Sequence, residues 1–149
     1  MSRRALILLA AGGSAALLLG AFFFEALGYA PCRMCIWQRW PHAVAVAAGA
    51  LGLALPMWGI VVGGAAALST SAIGLYHSGV EQGWWDGPSS CTGSGLGGLS
   101  GSDLLSFDAP APVMCDDITW AFAGLSMASW NAILSFALFA LWIAAARRA

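Results

Sequence analysis

The stretch CRMCIWQRWPH, residues 32–42, decides the fold because it joins a pair of cysteines to the start of a long apolar segment. Cys32 and Cys35 are separated by two residues, a spacing that redox-active and metal-binding cysteines share. The first turn of a helix favours a nearby anion, so a cysteine at this position is activated towards its thiolate. We therefore predict a helix that begins near Ile36 and carries a reactive cysteine pair at its start.

The composition predicts a membrane protein. The chain has 149 residues, of which 60% are hydrophobic and 9% are charged, and its net charge is −1. Soluble domains carry far more charge, about 25% of their residues. All six basic residues are arginines that do not form a basic patch, which argues against nucleic-acid binding. We expect residues 1–149 to form one small helical domain in a bilayer.

Apolar runs define four predicted spans. A helix that crosses a membrane needs about 20 apolar residues. The uncharged run 43–76 is too long for one helix, and Pro56 is the expected break within it. We therefore predict an all-α integral membrane four-helix bundle with approximate spans at residues 5–27, 36–55, 58–77 and 125–146.

Arginine pairs predict the orientation of the bundle. One pair precedes the first span (Arg3, Arg4) and another follows the last (Arg147, Arg148). Four spans place both termini on one side, and arginines favour the cytoplasmic side. The two cysteine-bearing loops would then face an oxidising compartment, where disulfides persist. The alternative of a cleaved signal peptide is disfavoured, because the apolar run exceeds the usual 7–15 residues.

The loop at residues 78–119 holds the other two cysteines, Cys91 and Cys115. Residues 87–102 are rich in glycine and serine, which predicts a flexible backbone. Leu104, Leu105 and Phe107 predict a short amphipathic piece on the membrane surface, and the alternating prolines of residues 109–112 stiffen the approach to Cys115. We expect Cys91 to lie in the exposed part of this loop.

Arg39 and His42 share a helical face with Cys35. An arginine inside a span is costly and indicates a functional site, although its side chain could also extend to the interface. His42 could equally pack beside Pro41. A zinc site is disfavoured because Cys91 and Cys115 lack the spacing of metal ligands, and no metal ligand is expected.

Five motifs in order give the chain a resemblance to the DsbB family of disulfide bond formation proteins. The resemblance covers nearly the whole chain, and its strongest part has an arginine four residues after the second cysteine of the C-x-x-C. The matching segments are residues 32–42, 76–81, 88–92, 113–116 and 124–131.

This resemblance implies an enzyme of the bacterial inner membrane, with its termini cytoplasmic and its cysteine loops periplasmic. Such proteins reoxidise DsbA, a periplasmic thiol oxidase with a thioredoxin fold, and pass two electrons to a membrane quinone, either ubiquinone or menaquinone. The resemblance therefore implies an oxidoreductase that also takes part in electron transport.

The resemblance also implies a role for each site residue. Cys91 would be attacked by the partner, and its loop partner Cys115 would exchange with Cys32. Cys35 would face the quinone, with Arg39 beside the ring. His77 is similar to a residue near the quinone in the family, and Glu81 is a further candidate.

Two alternative functions have different signatures. A relative of the vitamin K epoxide reductases would carry its C-x-x-C after the loop cysteines, whereas here Cys32 and Cys35 come first. A membrane scaffold stapled by two disulfides is the other alternative. A disulfide staple between Cys32 and Cys35 would add little stability, because closing so short a loop removes little entropy from the unfolded chain.

Overall fold

The helices of the protein surround a buried polar cluster. The computed structural model describes residues 1–92 and 113–148. Within these ranges the elements, in chain order, are α1 (Arg3–Ala26), α2 (Arg33–Ala54), α3 (Pro56–Glu81), β1 (Ala121–Phe122), β2 (Leu125–Ser126) and α4 (Met127–Ala146). The predicted all-α, four-helix architecture is confirmed. The amphipathic piece at 104–107, the prolines of 109–112 and most of the glycine-rich stretch lie outside the described residues.

Local chemistry explains where the helices begin. The sulfur of Cys32 accepts a hydrogen bond from the backbone N–H of Cys35 and caps α2, which therefore begins at Arg33 rather than near residue 36. Ser126 caps α4 in the same way. Pro56 occupies the first turn of α3, where its missing N–H costs nothing, so the expected break falls at this proline.

Three of the described helices are long and apolar enough to cross a membrane: α1, α3 and α4. The remaining helix, α2, has 22 residues but a more polar first half. Gln38 and His42 in that half are buried between helices, which shields their polar atoms from lipid. Helix α3 extends to Glu81, four residues past the end predicted for the third span, so His77 lies within its final turns.

Each helix packs against the next in chain order, and α4 also packs against α1. Small residues allow the closest approach, where Gly52 of α2 meets Gly59 of α3. Further along α3, the indole of Trp142 lies against Gly63 and is fully buried. The apolar core forms around this indole from residues of α1, α3 and α4: Leu6, Ile7, Ala10, Ala11, Ile60, Ala67 and Ala145.

The contact between α2 and α3 predicts the effect of a single methyl group. A side chain at Gly59 would overlap the backbone of Gly52, which cannot move aside as a flexible side chain could. We expect Gly59→Ala to lower the free energy of unfolding by about 1–3 kcal/mol, measured by denaturant titration in micelles. Gly20→Ala in α1 is the control, since nothing lies within 4 Å of its added methyl group. Equal stability of the two variants would contradict this packing.

Candidate redox site

The first cysteine pair lies at the start of α2 with its sulfur atoms in contact. The two sulfurs, of Cys32 and Cys35, are 2.8 Å apart, and Cys32 is buried. The hydrogen bond with the Cys35 sulfur, together with burial, raises the pKa of the Cys32 thiol well above its ordinary value, although a backbone N–H opposes this. The two sulfurs are close enough to form a disulfide bond between them with little movement.

The second pair forms a disulfide that packs against the first. Cys91 and Cys115 are bonded to each other and are 4% and 0% exposed. The expectation that Cys91 lies exposed is therefore wrong, because this cysteine is enclosed by the ends of the helices. Cys32, Cys91 and Cys115 belong to one buried cluster with Met34 and Val80, and the partly buried Cys35 packs against it. Four cysteines that are distant in sequence thus meet at one end of the bundle.

His77 lies between the two cysteine pairs. Its Nε2 atom is 3.1 Å from the carbonyl oxygen of Cys115 and 3.5 Å from the sulfur of Cys32. The carboxylate of Glu81, one turn further along α3, is 3.8 Å from the same nitrogen. Glu81 in turn accepts a hydrogen bond from the hydroxyl of Ser126. One imidazole therefore contacts a residue of each cysteine pair.

A network of buried polar side chains extends from His77 across the bundle. Gln38 lies 3.0 Å from Nδ1 of His77, and the amide of Asn131 donates to Gln38 at 2.7 Å. The other end of the Asn131 amide accepts from Nε2 of His42 at 2.8 Å. Thr70 also accepts from Asn131, and Ser135 also donates to it. These contacts join α2, α3 and α4 through hydrogen bonds.

Gln38 and Asn131 were expected only as members of motifs and not as site residues. The glutamine between Cys35 and Arg39 could nevertheless have indicated a hydrogen bond between helices. A buried amide in a helix that faces lipid elsewhere requires partners from neighbouring helices. Which helices supply those partners depends on the packing, which the sequence alone does not reveal.

Arg39 is held by an ion pair that joins α2 to the end of α1. Its Nη1 atom is 2.6 Å from a carboxylate oxygen of Glu25, and its guanidinium lies 4.8 Å from the centre of the Phe22 ring. The Arg39 side chain is 16% exposed, and its Nε–H has no hydrogen-bond partner within the described residues. Glu25 was not expected as the partner of Arg39 from the sequence.

A cavity of about 470 Å³ adjoins the first cysteine pair, and most of its lining is apolar. The volume falls within the range usual for small-molecule sites. The polar and reactive residues in its wall are Cys32, Cys35, Gln38, Arg39, His42, His77, Glu81, Asp117, Thr119 and Asn131. Aromatic residues form much of the remaining wall: Phe24, Tyr29, Trp120, Phe122 and Trp130. The structure thus brings Cys35, Arg39 and His77 to one cavity, whereas Cys91 and Cys115 lie beside it.

The sulfurs of Cys32 and Cys35 and a ring nitrogen of His77 lie within 4.8 Å of one another, close enough to hold a metal ion. A histidine binds metal through an unprotonated nitrogen. The nitrogen facing the sulfurs is Nε2, which lies against the Cys115 carbonyl and must carry a proton to donate to it. The hydrogen bonding therefore favours a thiol–disulfide site over a metal site.

Comparison with known proteins defines the class to which this fold and site belong. The family model "Disulfide bond formation protein DsbB" matches residues 3–145. A disulfide bond formation protein B of Polaromonas sp. (strain JS666) is 29% identical over 138 residues, 88% of this chain and 82% of its own. A protein of the same name from Pasteurella multocida is 29% identical over 136 residues, 83% of this chain and 72% of its own. No solved structure matches the chain.

The helical bundle with its paired cysteines is a membrane protein that forms disulfide bonds, a disulfide oxidoreductase. The chain belongs to the DsbB family. The resemblance found in the sequence is therefore confirmed.

The polar network predicts a stability defect at its centre. Asn131→Leu removes one hydrogen-bond partner each from Gln38, His42 and Thr70, and buried polar groups that lose partners are costly. We expect the free energy of unfolding in micelles to fall by about 1–2 kcal/mol. Ser69→Ala is the control, because among the described residues this exposed hydroxyl bonds only to the Ala65 carbonyl of its own helix. An Asn131→Leu variant as stable as the control would show that the network is not formed.

Proposed function

We propose that this protein reoxidises a periplasmic DsbA-like thiol oxidase and passes two electrons to a membrane quinone. The observation that carries the proposal is the shared location of its parts. Cys32 belongs to one buried cluster with Cys91 and Cys115, Cys35 packs against that cluster, and Cys32 and Cys35 also line an apolar cavity. Electrons that enter at the loop disulfide can therefore reach the wall of the cavity through sulfur atoms alone.

The residues around the cavity suit a quinone. A quinone ring is flat and apolar, and its carbonyl oxygens accept hydrogen bonds. Apolar and aromatic side chains supply the walls, and the Arg39 Nε–H, which has no partner within the described residues, is a donor. We assign binding to Arg39 and Cys35, with His77 near the ring. When bound, the quinone supplies the two-electron acceptor that the four cysteines require.

Thiol–disulfide exchange gives an order to the cysteines. The partner's thiolate attacks the sulfur of Cys91, the Cys91–Cys115 bond breaks, and a mixed disulfide forms with Cys91. Cys115 leaves as a thiolate and attacks Cys32 of an oxidised Cys32–Cys35 pair. The bond between those two sulfurs breaks, a Cys32–Cys115 disulfide forms, and Cys35 leaves as a thiolate at the wall of the cavity.

The burial of Cys91 requires the partner to expose this sulfur before it attacks. In the structure the Cys91–Cys115 disulfide is enclosed, and the backbone N–H of Cys115 donates to the Cys91 carbonyl. The same burial is the observation that favours the alternative of a stapled scaffold, since inaccessible disulfides resist exchange. A relay disulfide exchanges within seconds with a reduced thioredoxin-like protein, whereas a staple resists it.

The ends of the chain support an orientation with both termini in the cytoplasm. Nε of Arg3 donates to the carbonyl of Arg148 at 2.6 Å, so the two arginine pairs gather at one end of the bundle. The cysteine cluster lies at the opposite end, where α2 begins and α3 ends. Arginine-rich ends favour the cytoplasm, which would place the cysteines in the periplasm.

The first prediction of the proposal separates the two cysteine pairs. Cys35→Ala should abolish quinone reduction, followed by absorbance, with either a reduced DsbA-like protein or a small dithiol as donor. The double variant Cys91→Ala, Cys115→Ala is the matched control. It should lose the reaction with the protein donor but keep the reaction with the dithiol, because Cys32 and Cys35 remain. Quinone reduction that persists without Cys35 would contradict the order of exchange.

The second prediction concerns Arg39. Arg39→Met removes the donor that we assign to a quinone carbonyl, so the KM for quinone should rise about tenfold, the effect of losing one charge-assisted hydrogen bond. The KM for the protein donor should not change. Arg33→Met is the control, since it removes the same charge from an exposed position on the same helix, away from the cavity. Equal quinone kinetics in the two variants would exclude the role.

A further inference from the structure

The amide of Gln38 has a single orientation that satisfies its neighbours. Its Nε2 atom lies 3.1 Å from the carbonyl oxygen of Met34, and a carbonyl can only accept. Its Oε1 atom lies 2.7 Å from the Nδ2 atom of Asn131. The orientation of Asn131 is fixed independently, because the same Nδ2 atom also faces the carbonyl oxygen of Thr70 at 3.4 Å. Two backbone carbonyls therefore fix the direction of both amides.

This orientation determines which nitrogen of His77 carries the proton. The second N–H of Gln38 is directed at Nδ1 of His77, 3.0 Å away, so Nδ1 must accept and cannot carry a proton. The proton of the neutral ring is then on Nε2. The other side of the ring requires the same arrangement, because Nε2 faces the carbonyl oxygen of Cys115 at 3.1 Å. Met34 and Cys115 thus specify one tautomer from opposite sides of the ring.

The burial of the site makes the choice of tautomer consequential. Gln38 is 6% exposed and His77 is 3% exposed, so bulk water does not replace a lost partner. In the other tautomer, Nδ1–H would oppose an N–H of Gln38, and the lone pair of Nε2 would oppose the Cys115 carbonyl. In a doubly protonated ring, Nδ1–H would still oppose the N–H of Gln38. Gln38 therefore reinforces the tautomer that the hydrogen bond from His77 to Cys115 requires, although Gln38 is hydrogen-bonded to neither Cys115 nor Cys32 within the described residues.

We propose that Gln38 is a positioning residue that holds His77 as the neutral Nε2–H tautomer, so that one imidazole N–H keeps the main chain of Cys115 beside the sulfur of Cys32. The inference rests on the proposed function, in which Cys115 exchanges with Cys32. Gln38 acts through His77 and has no direct part in the exchange. Loss of Gln38 should therefore slow transfer between the cysteine pairs without changing the attack of the partner on Cys91.

Nitrogen NMR of the histidine side chains tests the tautomer without reference to activity. The chain has two histidines, His42 and His77, so ¹⁵N-histidine labelling gives two rings, and His77→Gln assigns them. We expect His77 in the unaltered protein to have an unprotonated Nδ1 and a protonated Nε2. Gln38→Met removes the donor to Nδ1 and leaves only the Cys115 carbonyl to favour Nε2–H, so the population of the Nδ1–H tautomer should rise. Gln38→Glu should place a proton on Nδ1, because both carboxylate oxygens can only accept.

Single-turnover kinetics test the consequence for exchange. We expect Gln38→Met to slow electron transfer from the loop pair to Cys32 about fivefold to tenfold, the effect of losing one hydrogen bond. The rate at which the partner forms a mixed disulfide with Cys91 should be unchanged, because Gln38 has no part in that attack. Gln82→Met is the matched control, since the other glutamine is exposed at the end of α3. It should alter neither the tautomer nor the rate.

Three outcomes would overturn the inference: a proton on Nδ1 of His77 in the unaltered protein, an unchanged His77 spectrum in Gln38→Met, or an unchanged exchange rate in that variant. If Gln38→Met does not fold, Gln38→Glu is used instead, because it retains the acceptor for Asn131. An unprotonated Nδ1 of His77 in Gln38→Glu would then overturn the inference. A protein that reduces no quinone would contradict the proposed function, while the tautomer measurement would still decide the role of Gln38.

Discussion

The structure depends on the requirement that polar groups buried between apolar helices find partners within the bundle. Lipid offers no hydrogen bonds, and a polar atom without a partner in such surroundings costs a substantial part of the stability of a small protein. Gln38, Asn131 and His77 meet this requirement by bonding to one another and to backbone carbonyls. The helices α2, α3 and α4 are consequently fixed relative to one another at the end of the bundle where the cysteines lie. The same bonds that stabilise the bundle orient the imidazole between the two cysteine pairs.

Close helix packing and the hydrogen bonds of buried polar side chains occur in different halves of α2. Towards its C-terminus, glycines bring α2 and α3 into contact, and the interior there is apolar. Towards its N-terminus, the helix carries Gln38, Arg39 and His42 around a cavity with a largely apolar wall. Such a cavity admits an apolar molecule beside Cys35. Under the proposed orientation, the Cys91–Cys115 disulfide lies at the periplasmic end of the bundle, where the partner would approach. The proposed function needs this division, since its two substrates come from different phases.

Much of the fold followed from the sequence, because it rests on local patterns. Apolar runs, Pro56 and the cysteine at the start of α2 predicted four helices and the end of the bundle at which the chemistry lies. The helix boundaries were less exact: Cys32 caps α2 through its sulfur and moves its start to Arg33, and α3 continues to Glu81. The bond between Arg39 and Glu25 and the role of Gln38 depend on how the helices pack, which no local pattern encodes. The burial of Cys91 was missed for the same reason, since a polar loop gives no sign of which residues fold back onto the helices.

The central claim is that the loop disulfide passes electrons directly to the pair on α2 through Cys115 and Cys32, whose side chains belong to one buried cluster. The variant Cys35→Ala, Cys91→Ala retains only these two cysteines, and its disulfide content after mild oxidation in membranes, measured by mass spectrometry of its peptides, tests the claim most directly. The account predicts a Cys32–Cys115 disulfide in most molecules, and much less cross-linking in the control Cys32→Ala, Cys91→Ala, which retains Cys35 instead. Two free thiols in the first variant, or equal cross-linking in both, would contradict direct exchange between the pairs.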